Sequence, residues 1–290
     1  MENLKNIRLL STIAGDIIGS KYEFNNIHTK EFELFDNDMY FTDDTVLTVA
    51  TMDALLEIDK LIPYMFSKDG IKNSLNDMTE IFSRKYYEYG NKYNSPKYSY
   101  GCKFRKWLAS ADRRPYGSYG NGSVMRIAPI AYYLKYALNG DEYFNELEVQ
   151  MPLASARCTH NSNEGMLGAV NVTKMIKVLL DGSEKARLRR FASNRYNIPK
   201  KLDSMQSFDE TCAGTIPFSV ACFLEAYSLE DSIRNAISIG GDSDTIAIIT
   251  ASLSEAYYGG DEDINAQVIK YLDYDLLKII MKFNKMIERC

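Results

Sequence analysis

The chain has 290 residues, of which 46% are hydrophobic and 25% are charged, and this is enough apolar material for one large domain or two small ones. The formal net charge of −5 argues against a dedicated nucleic-acid-binding protein, because such a protein presents a basic face. No stretch approaches about 20 uninterrupted apolar residues, so no transmembrane helix is expected, and we predict neither nucleic acid nor membrane as a partner.

Apolar residues recur mostly at helical spacing, and alternating strand patterns are scarce. The pattern predicts helices over residues 6–20, 43–59, 72–88, 103–111, 123–138, 143–157, 163–181, 184–194, 215–227, 230–238, 244–257 and 264–288. Whether the last of these is interrupted is left open. No internal repeat, low-complexity segment or linker divides the chain, so we expect an all-α fold with a single domain over residues 1–290.

The first predicted helix runs into GDIIGSKYEF, which ends in a candidate acid or base, Glu23. Nothing in its neighbourhood distinguishes Glu23 from an ordinary carboxylate. The second predicted helix begins in FTDDTVLTVA, where Thr42, Asp43 and Asp44 come directly before an apolar helical run. Taken alone, this cluster is typical of a helix N-cap, because threonine and aspartate cap helix N-termini and acids interact favourably with the helix dipole.

A glycine-rich loop lies in the middle of the chain, in YGSYGNGSVM. Gly117, Gly120 and Gly122 allow a tight loop whose backbone N–H groups can bind a diphosphate, and a plain turn is the alternative. Tyr119 offers a face on which a base can stack. Further along, His160 in CTHNSNEG precedes a predicted helix, where both a structural role and a ligand contact remain open.

The most basic segment spans residues 184–201, with seven Lys or Arg residues against one Glu. We interpret it as the solvated face of a helix, with a patch for phosphate or an acidic partner as the alternative. The five cysteines are scattered and the chain has only two histidines, so no zinc-site spacing can be assembled. Free thiols are typical of a reducing compartment, and we therefore expect a cytoplasmic protein.

A second acidic cluster opens GGDSDTIAIITASLSEAYYG, with Asp242, Asp244 and Thr245 at the start of a predicted helix rich in small residues. One cap needs one side-chain oxygen, so the second carboxylate of each cluster needs another partner. Buried carboxylates require compensation that hydrogen bonds alone rarely supply. Two divalent cations would neutralise four carboxylates, and carboxylate and hydroxyl oxygens suit Mg²⁺ or Mn²⁺. We therefore predict two such ions shared by the two clusters.

Five motifs occur in the order in which they occur in the ADP-ribosylglycohydrolases, the relatives of dinitrogenase reductase-activating glycohydrolase. They are GDIIGSKYEF, FTDDTVLTVA, YGSYGNGSVMRIAP, TH followed by NEG, and GGDSDTIAIITASLSEAYYG. The resemblance spans nearly the whole chain and is greatest to the bacterial branch of the family. It implies an all-α orthogonal multi-helix bundle with a binuclear Mg²⁺ or Mn²⁺ centre in a cleft.

The resemblance also implies roles for particular residues, carried over position by position. The metal ligands would be Thr42, Asp43, Asp44, Asp242, Asp244 and Thr245. The ADP-ribose pocket would contain Gly117, Ser118, Tyr119, Gly120, Asn121, Gly122, Met125 and His160. Glu23 lies where the family carries its catalytic glutamate.

The activity that the resemblance implies is hydrolysis of the glycosidic bond at the anomeric carbon of ADP-ribose. The partner would be ADP-ribose or an ADP-ribosylated protein or metabolite. Two alternatives use the same residues: a two-metal nucleotide phosphohydrolase, and a non-catalytic structural or ADP-ribose-binding member of the fold. The sequence does not identify the linkage that is cleaved.

Overall fold

The computed structural model describes residues 4–65, 74–138, 144–202 and 208–288, and within them it contains thirteen α-helices and three short 3-10 helices. The α-helices are α1 (Leu10–Ser20), α2 (Asp43–Met65), α3 (Ser74–Lys92), α4 (Cys102–Ala109), α5 (Ala128–Tyr136), α6 (Phe144–Arg157), α7 (Asn163–Leu180), α8 (Lys185–Ser193), α9 (Cys212–Glu225), α10 (Leu229–Ser238), α11 (Ser243–Tyr258), α12 (Glu262–Tyr271) and α13 (Tyr274–Ile287). Over these ranges the only β pairing is an isolated bridge between Gly120 and Thr211. The predicted all-α class is confirmed.

Each predicted helix has a counterpart, and the differences lie at helix ends and in the last predicted helix, which is interrupted. The helix predicted over 123–138 begins later, at Ala128, because residues 121–123 form a 3-10 turn and a proline occupies the first turn of α5. The helix predicted over 264–288 is two helices, because the Asp273 side chain accepts a hydrogen bond from the Leu276 N–H (2.9 Å) and so caps α13. The starts predicted at 72 and 143 lie outside the described residues.

The antiparallel pair α1 and α11 forms the centre of the fold, and two glycines of α1 permit their close approach. A Cβ atom on Gly15 would lie 2.4 Å from the Ala247 carbonyl oxygen, and one on Gly19 would lie 2.3 Å from the Asp244 Cα atom. The two helix backbones are therefore in direct contact, and only glycine fits at these two positions. This contact places the end of α1 against the acidic start of α11.

At the other end of the pair, Glu255 of α11 caps the N-terminus of α1. Its carboxylate accepts hydrogen bonds from the Leu9 N–H (2.5 Å), the Thr12 N–H (2.6 Å) and the Thr12 hydroxyl (2.8 Å). Burial raises the pKa of Glu255 to about 7, against the effect of these hydrogen bonds. The two helices are therefore fixed to each other at both ends.

The remaining helices surround this pair and share one set of buried apolar side chains that extends from Ile7 to Ile287. A single domain over the whole chain stays a prediction. In the basic segment, Arg187 and Arg190 are exposed and Arg189 pairs with Glu225 at 2.9 Å, as expected of a solvated face. Among the helices described, none combines the length and apolar character needed to cross a bilayer.

Candidate active site

The two acidic helix starts meet beside the end of α1. Carboxylate oxygens of Asp16, Asp44 and Asp244 lie within 4.8 Å of one another, and so do those of Glu23, Asp242 and Asp244. All of these residues are buried, and Asp244 belongs to both groups. Residues more than 200 positions apart in the chain therefore form one acidic cluster.

Asp16 is a member of the cluster that the sequence prediction missed. Its carboxylate accepts hydrogen bonds from the Thr42 N–H (2.9 Å) and hydroxyl (2.6 Å), from the Thr45 N–H (3.0 Å) and from the Thr45 hydroxyl. It thus ties α1 to the start of α2. In the sequence Asp16 is a single acid in an apolar run, and the available signal was its place between Gly15 and Gly19, a spacing typical of close helix contact.

Helix capping accounts for neither Asp44 nor Asp242, whereas Asp244 Oδ1 accepts a hydrogen bond from the Thr245 N–H (2.9 Å) in the first turn of α11. Asp242 occupies the N-cap position of α11 but makes no side-chain cap hydrogen bond. Instead its Oδ2 atom accepts a hydrogen bond from Asn121 Nδ2 (2.5 Å). Asp44 Oδ2 accepts one from the Thr245 hydroxyl (3.1 Å), whereas Asp44 Oδ1 is buried without a partner among the described residues. These aspartates are therefore positioned toward each other.

Burial and mutual repulsion both oppose ionisation of the cluster. Burial raises the pKa of Asp44 well above its usual range, and the charge of Asp244 raises it further. Burial, followed by the charge of Asp244, also raises the pKa of Glu23, to about 9, against a hydrogen bond from the Ser99 side chain. The pKa of Asp242 rises to about 7 through burial, and the hydrogen bond from Asn121 opposes this rise. The protein alone does not compensate these charges.

The donor set fits divalent cations. Glu23 Oε2 and Asp44 Oδ1 are buried oxygens without a hydrogen-bond partner in the described part of the chain. Asp43 lines the same space, and burial together with the charge of Asp244 raises its pKa well above the usual range. Carboxylate and threonine hydroxyl oxygens are ligands that Mg²⁺ and Mn²⁺ prefer. Bound cations would satisfy the open oxygen of Asp44 and favour the ionised carboxylates.

A cavity of about 470 Å³ opens beside the cluster. The predicted site residues that line it are Glu23, Asp43, Asp44, Ser118, Tyr119, Gly120, Asn121, Gly122, Met125, His160, Asp242, Asp244 and Thr245. Two predicted residues, Thr42 and Gly117, are not among those that line it. Thr42 Oγ1 is 3.4 Å from Asp244 Oδ2, and Gly117, with φ of 64°, donates its N–H to Asn161 Oδ1 (2.7 Å).

Most backbone N–H groups of the glycine-rich loop, which the sequence makes candidates for binding a diphosphate, donate to acceptors within the protein. Four of its N–H groups donate within the protein, namely Gly117 to Asn161, Ser118 to the Thr159 carbonyl, Gly120 to the Ser118 hydroxyl and Asn121 to the Glu210 carbonyl. The loop also leads into a 3-10 turn and not directly into an α-helix. These four N–H groups fix the loop in place and are not free for an anion in the cavity.

Other wall residues were not identified from the sequence. They are Leu47, Ser99, Gly101, Lys103, Phe104, Tyr116, Phe208, Asp209, Glu210 and Thr211. Among them, Lys103 Nζ lies 5.4 Å from the centre of the Tyr119 ring, which is 52% exposed. A base could stack on the open part of that ring. Leu47 belongs to α2, Lys103 and Phe104 belong to α4, and the others come from loops that the fold brings together. No local motif marks them.

Comparisons with known proteins found relatives of the whole sequence and of the fold. A family model described as ADP-ribosylglycohydrolase matches residues 8–289. The chain is 25% identical over 335 residues to ADP-ribosylhydrolase ARH3 of Homo sapiens, covering 88% of this chain and 85% of that protein. It is 24% identical over 328 residues to ADP-ribosylhydrolase ARH3 of Mus musculus, covering 88% and 83%. A solved structure described as an ADP-ribosylglycohydrolase-related protein complex shares its fold, with a TM-score of 0.64, 19% identity and 99% of each chain covered.

Proposed function

The chain belongs to the ADP-ribosylglycohydrolase family, and we propose that it is a metal-dependent hydrolase that cleaves the glycosidic bond at the anomeric carbon of ADP-ribose. One observation carries the proposal. A buried carboxylate cluster with two open oxygens, on Glu23 and Asp44, forms one wall of a cavity of about 470 Å³. This volume lies within the range of sites that enclose small ligands.

In this proposal Thr42, Asp43, Asp44, Asp242, Asp244 and Thr245 hold two Mg²⁺ or Mn²⁺ ions. When bound, such ions orient ribose hydroxyls and lower the pKa of a coordinated water. Asp16 holds the start of α2 in place through Thr42 and Thr45. Asn121 supports Asp242 from the loop side. The carboxylates would also stabilise the positive charge that develops at the anomeric carbon when the glycosidic bond breaks.

Glu23 is the residue to which we assign the proton transfer. It lines the cavity, its Oε2 atom is free of protein partners in the described part of the chain, and it is not one of the six proposed metal ligands. As an acid it would protonate the leaving group, and as a base it would accept a proton from the attacking water.

The wall that the glycine-rich loop forms beside the carboxylates would hold the remainder of the substrate. Ser118, Gly120 and Gly122 would lie along the diphosphate, and Tyr119 would stack on the adenine. Met125 and His160 complete this wall. The substrate would be an ADP-ribosylated protein side chain or an ADP-ribosylated metabolite, and we expect it to be met in the cytoplasm.

The test is turnover of a panel of linkage-defined ADP-ribosyl compounds, each with excess Mg²⁺, with Mn²⁺, or with EDTA. The panel contains arginine- and serine-linked peptides, poly(ADP-ribose) and small ADP-ribosyl metabolites. We expect free ADP-ribose by mass spectrometry from at least one compound, and no release in EDTA. Inorganic phosphate or AMP as the product would instead identify a two-metal phosphohydrolase. Tight binding of ADP-ribose without turnover of any compound would identify a non-catalytic member of the fold.

A further inference from the structure

Arg126 is a fully buried arginine without a carboxylate partner among the described residues. Its side chain is 0% exposed, and its guanidinium lies 3.9 Å from the centre of the Tyr86 ring. The NH2 nitrogen donates to the Ser155 carbonyl (3.0 Å) and to Thr159 Oγ1 (2.8 Å), while Nε and NH1 have no partner in the described part of the chain. Burying a charge in this way is costly, and stacking on one ring offsets only part of that cost.

The contact with Thr159 connects Arg126 to the cavity. Thr159 Oγ1 lies 2.8 Å from Nδ1 of His160, and His160 lines the cavity. We propose that Arg126 is a positioning residue that fixes His160, through Thr159, as the neutral tautomer whose Nε2–H is offered to an anionic ligand. That the anion is the diphosphate of ADP-ribose rests on the proposed function, whereas the tautomer does not.

The direction of the hydrogen bonds follows from the groups involved. A guanidinium has donors only, so Thr159 Oγ1 must accept from Arg126. The hydroxyl proton of Thr159 is then directed to Nδ1 of His160. The reverse arrangement would point an Nδ1–H dipole toward the Arg126 charge, which is electrostatically unfavourable.

The ring must be neutral for this choice of tautomer to matter. Burial, then the positive charges of Arg126 and Lys103, hold the pKa of His160 well below its usual range. The Tyr116 ring packs against the imidazole, with 6.0 Å between ring centroids. A neutral imidazole has one N–H, so an acceptor at Nδ1 leaves the proton on Nε2.

Nε2 lies beside the part of the loop that lines the cavity. A Cβ atom on Gly122 would be 3.1 Å from His160 Nε2, and one on Gly120 would be 3.9 Å away. An Nε2–H at this place is a donor within the wall where we put the diphosphate. It adds to a loop in which four N–H groups are already engaged with protein acceptors.

The experiment is ¹⁵N NMR of ligand-free protein labelled at histidine. The chain has only two histidines, and exposed His28 provides the second, reference set of resonances. For His160 we expect a protonated Nε2 and an unprotonated Nδ1. Thr159→Val keeps the shape of the side chain but removes the hydroxyl, so both tautomers of His160 should appear. Thr159→Ser keeps the hydroxyl, so the single tautomer should remain. Thr173→Val is the matched control, since the Thr173 hydroxyl is buried without a partner in the described residues.

Arg126→Met should also produce both tautomers. This variant removes a buried, stacked side chain and can prevent folding. Thr159→Val is therefore the deciding variant. A hydrogen bond to a charged oxygen contributes about 1.5–3 kcal/mol, so Thr159→Val should weaken ADP-ribose binding by roughly 10- to 100-fold. An Nδ1–H tautomer in the unmodified protein, or an ADP-ribose affinity of Thr159→Val equal to that of Thr173→Val, would overturn the inference. The tautomer is measured without ligand, so the two tests are independent. The wrong tautomer would contradict only this inference, and an absence of turnover would contradict only the proposed function.

Discussion

Each carboxylate of the acidic cluster is less stable as an ion in the folded protein than in water. For Asp44, Asp242 and Asp244 burial is the largest cause, and neighbouring carboxylates add to it for Asp44 and Asp244. The protein thus keeps, at one place, charges that weaken its fold when no cation is bound. Such an arrangement is typical of a functional site, where residues are held against their local preference.

Asp44→Asn and Asp244→Asn test the metal role against a capping role. Asparagine caps helices about as well as aspartate, so a capping role predicts little change. If the carboxylates hold cations, we expect ADP-ribose release to fall by more than ~100-fold, because even partners of metal ligands account for ~10- to 100-fold. Each variant in EDTA should melt above the unmodified protein in EDTA, because a buried repulsive charge has been removed.

The matched control for these variants is Asp263→Asn, which changes an exposed aspartate in the first turn of α12. Asp44 and Asp244 occupy the same part of α2 and α11. Rate and melting temperature should stay unchanged in the control. Full activity in both Asp44→Asn and Asp244→Asn would refute the metal role of these residues.

Glu23→Gln separates proton transfer from binding. Loss of a general acid or base typically lowers the rate by ~10²–10⁴-fold, and Glu23 is outside the six proposed ligands. We therefore expect single-turnover release to fall within that range while calorimetric titration gives an almost unchanged Kd for ADP-ribose. An equal loss of rate and affinity would show that Glu23 acts on the metals or on the structure.

At the scale of elements, the contact between α1 and α11 assembles the site. Gly15 and Gly19 let the two backbones touch, and this contact brings Asp16 beside Asp244. Glu255 holds the opposite end of the pair through Leu9 and Thr12. The geometry of the acidic cluster therefore depends on helix packing as well as on the acids themselves.

Gly19→Ala tests this dependence. The added methyl group would lie 2.3 Å from the Asp244 Cα atom, so one helix backbone must move. Overpacking of this kind usually costs about 1–3 kcal/mol, and we expect a loss of stability at the upper end of that range, together with weaker metal binding.

Gly101→Ala is the control for this change, because a Cβ atom on Gly101 would meet nothing within 4 Å. Gly101 is the N-cap residue of α4, so the control should cost no more than about 1 kcal/mol. Chemical denaturation gives both values. A stability and metal affinity of Gly19→Ala indistinguishable from those of Gly101→Ala would contradict the importance of the close contact.

The helices and the acidic cluster could be predicted for different reasons. Apolar periodicity is local, so it located the helices, but it did not fix their ends or the interruption between α12 and α13. Paired acids at two helix starts indicated a common positive partner. Asp16 was missed because its partners, Thr42 and Thr45, come from another helix. Lys103 and Phe208 reach the cavity only through tertiary packing, which one sequence without local motifs does not reveal.

For the whole molecule, the raised pKa values predict an unusual dependence of stability on pH. Glu23, with a pKa of about 9, and Asp242, with a pKa of about 7, bind more protons in the folded than in the unfolded chain between about pH 4 and about pH 9. Without metal, their contribution to the free energy of unfolding is therefore present at low pH and is lost as the pH rises through this window.

Cations compete with protons for the same oxygens, so the stabilisation by Mg²⁺ or Mn²⁺ should grow as the pH rises. Melting temperatures measured with EDTA and with saturating metal, at about pH 5.5 and about pH 8.5, check this. At 100 times Kd each ion adds about 2.7 kcal/mol, which corresponds to a rise of several degrees. Glu255, with a pKa of about 7, also changes the stability with pH, but at each pH it does so equally with EDTA and with metal. Metal-induced shifts of the same size at both pH values would contradict the prediction.

The most direct test of the central claim is a Mn²⁺ titration of EDTA-stripped protein, followed in the same samples by electron paramagnetic resonance and by release of ADP-ribose from the best substrate of the panel. We predict that release appears only with bound Mn²⁺, saturates at two ions per chain, and rises together with the spectrum of a spin-coupled pair. Full release of ADP-ribose before any Mn²⁺ is bound would contradict the account.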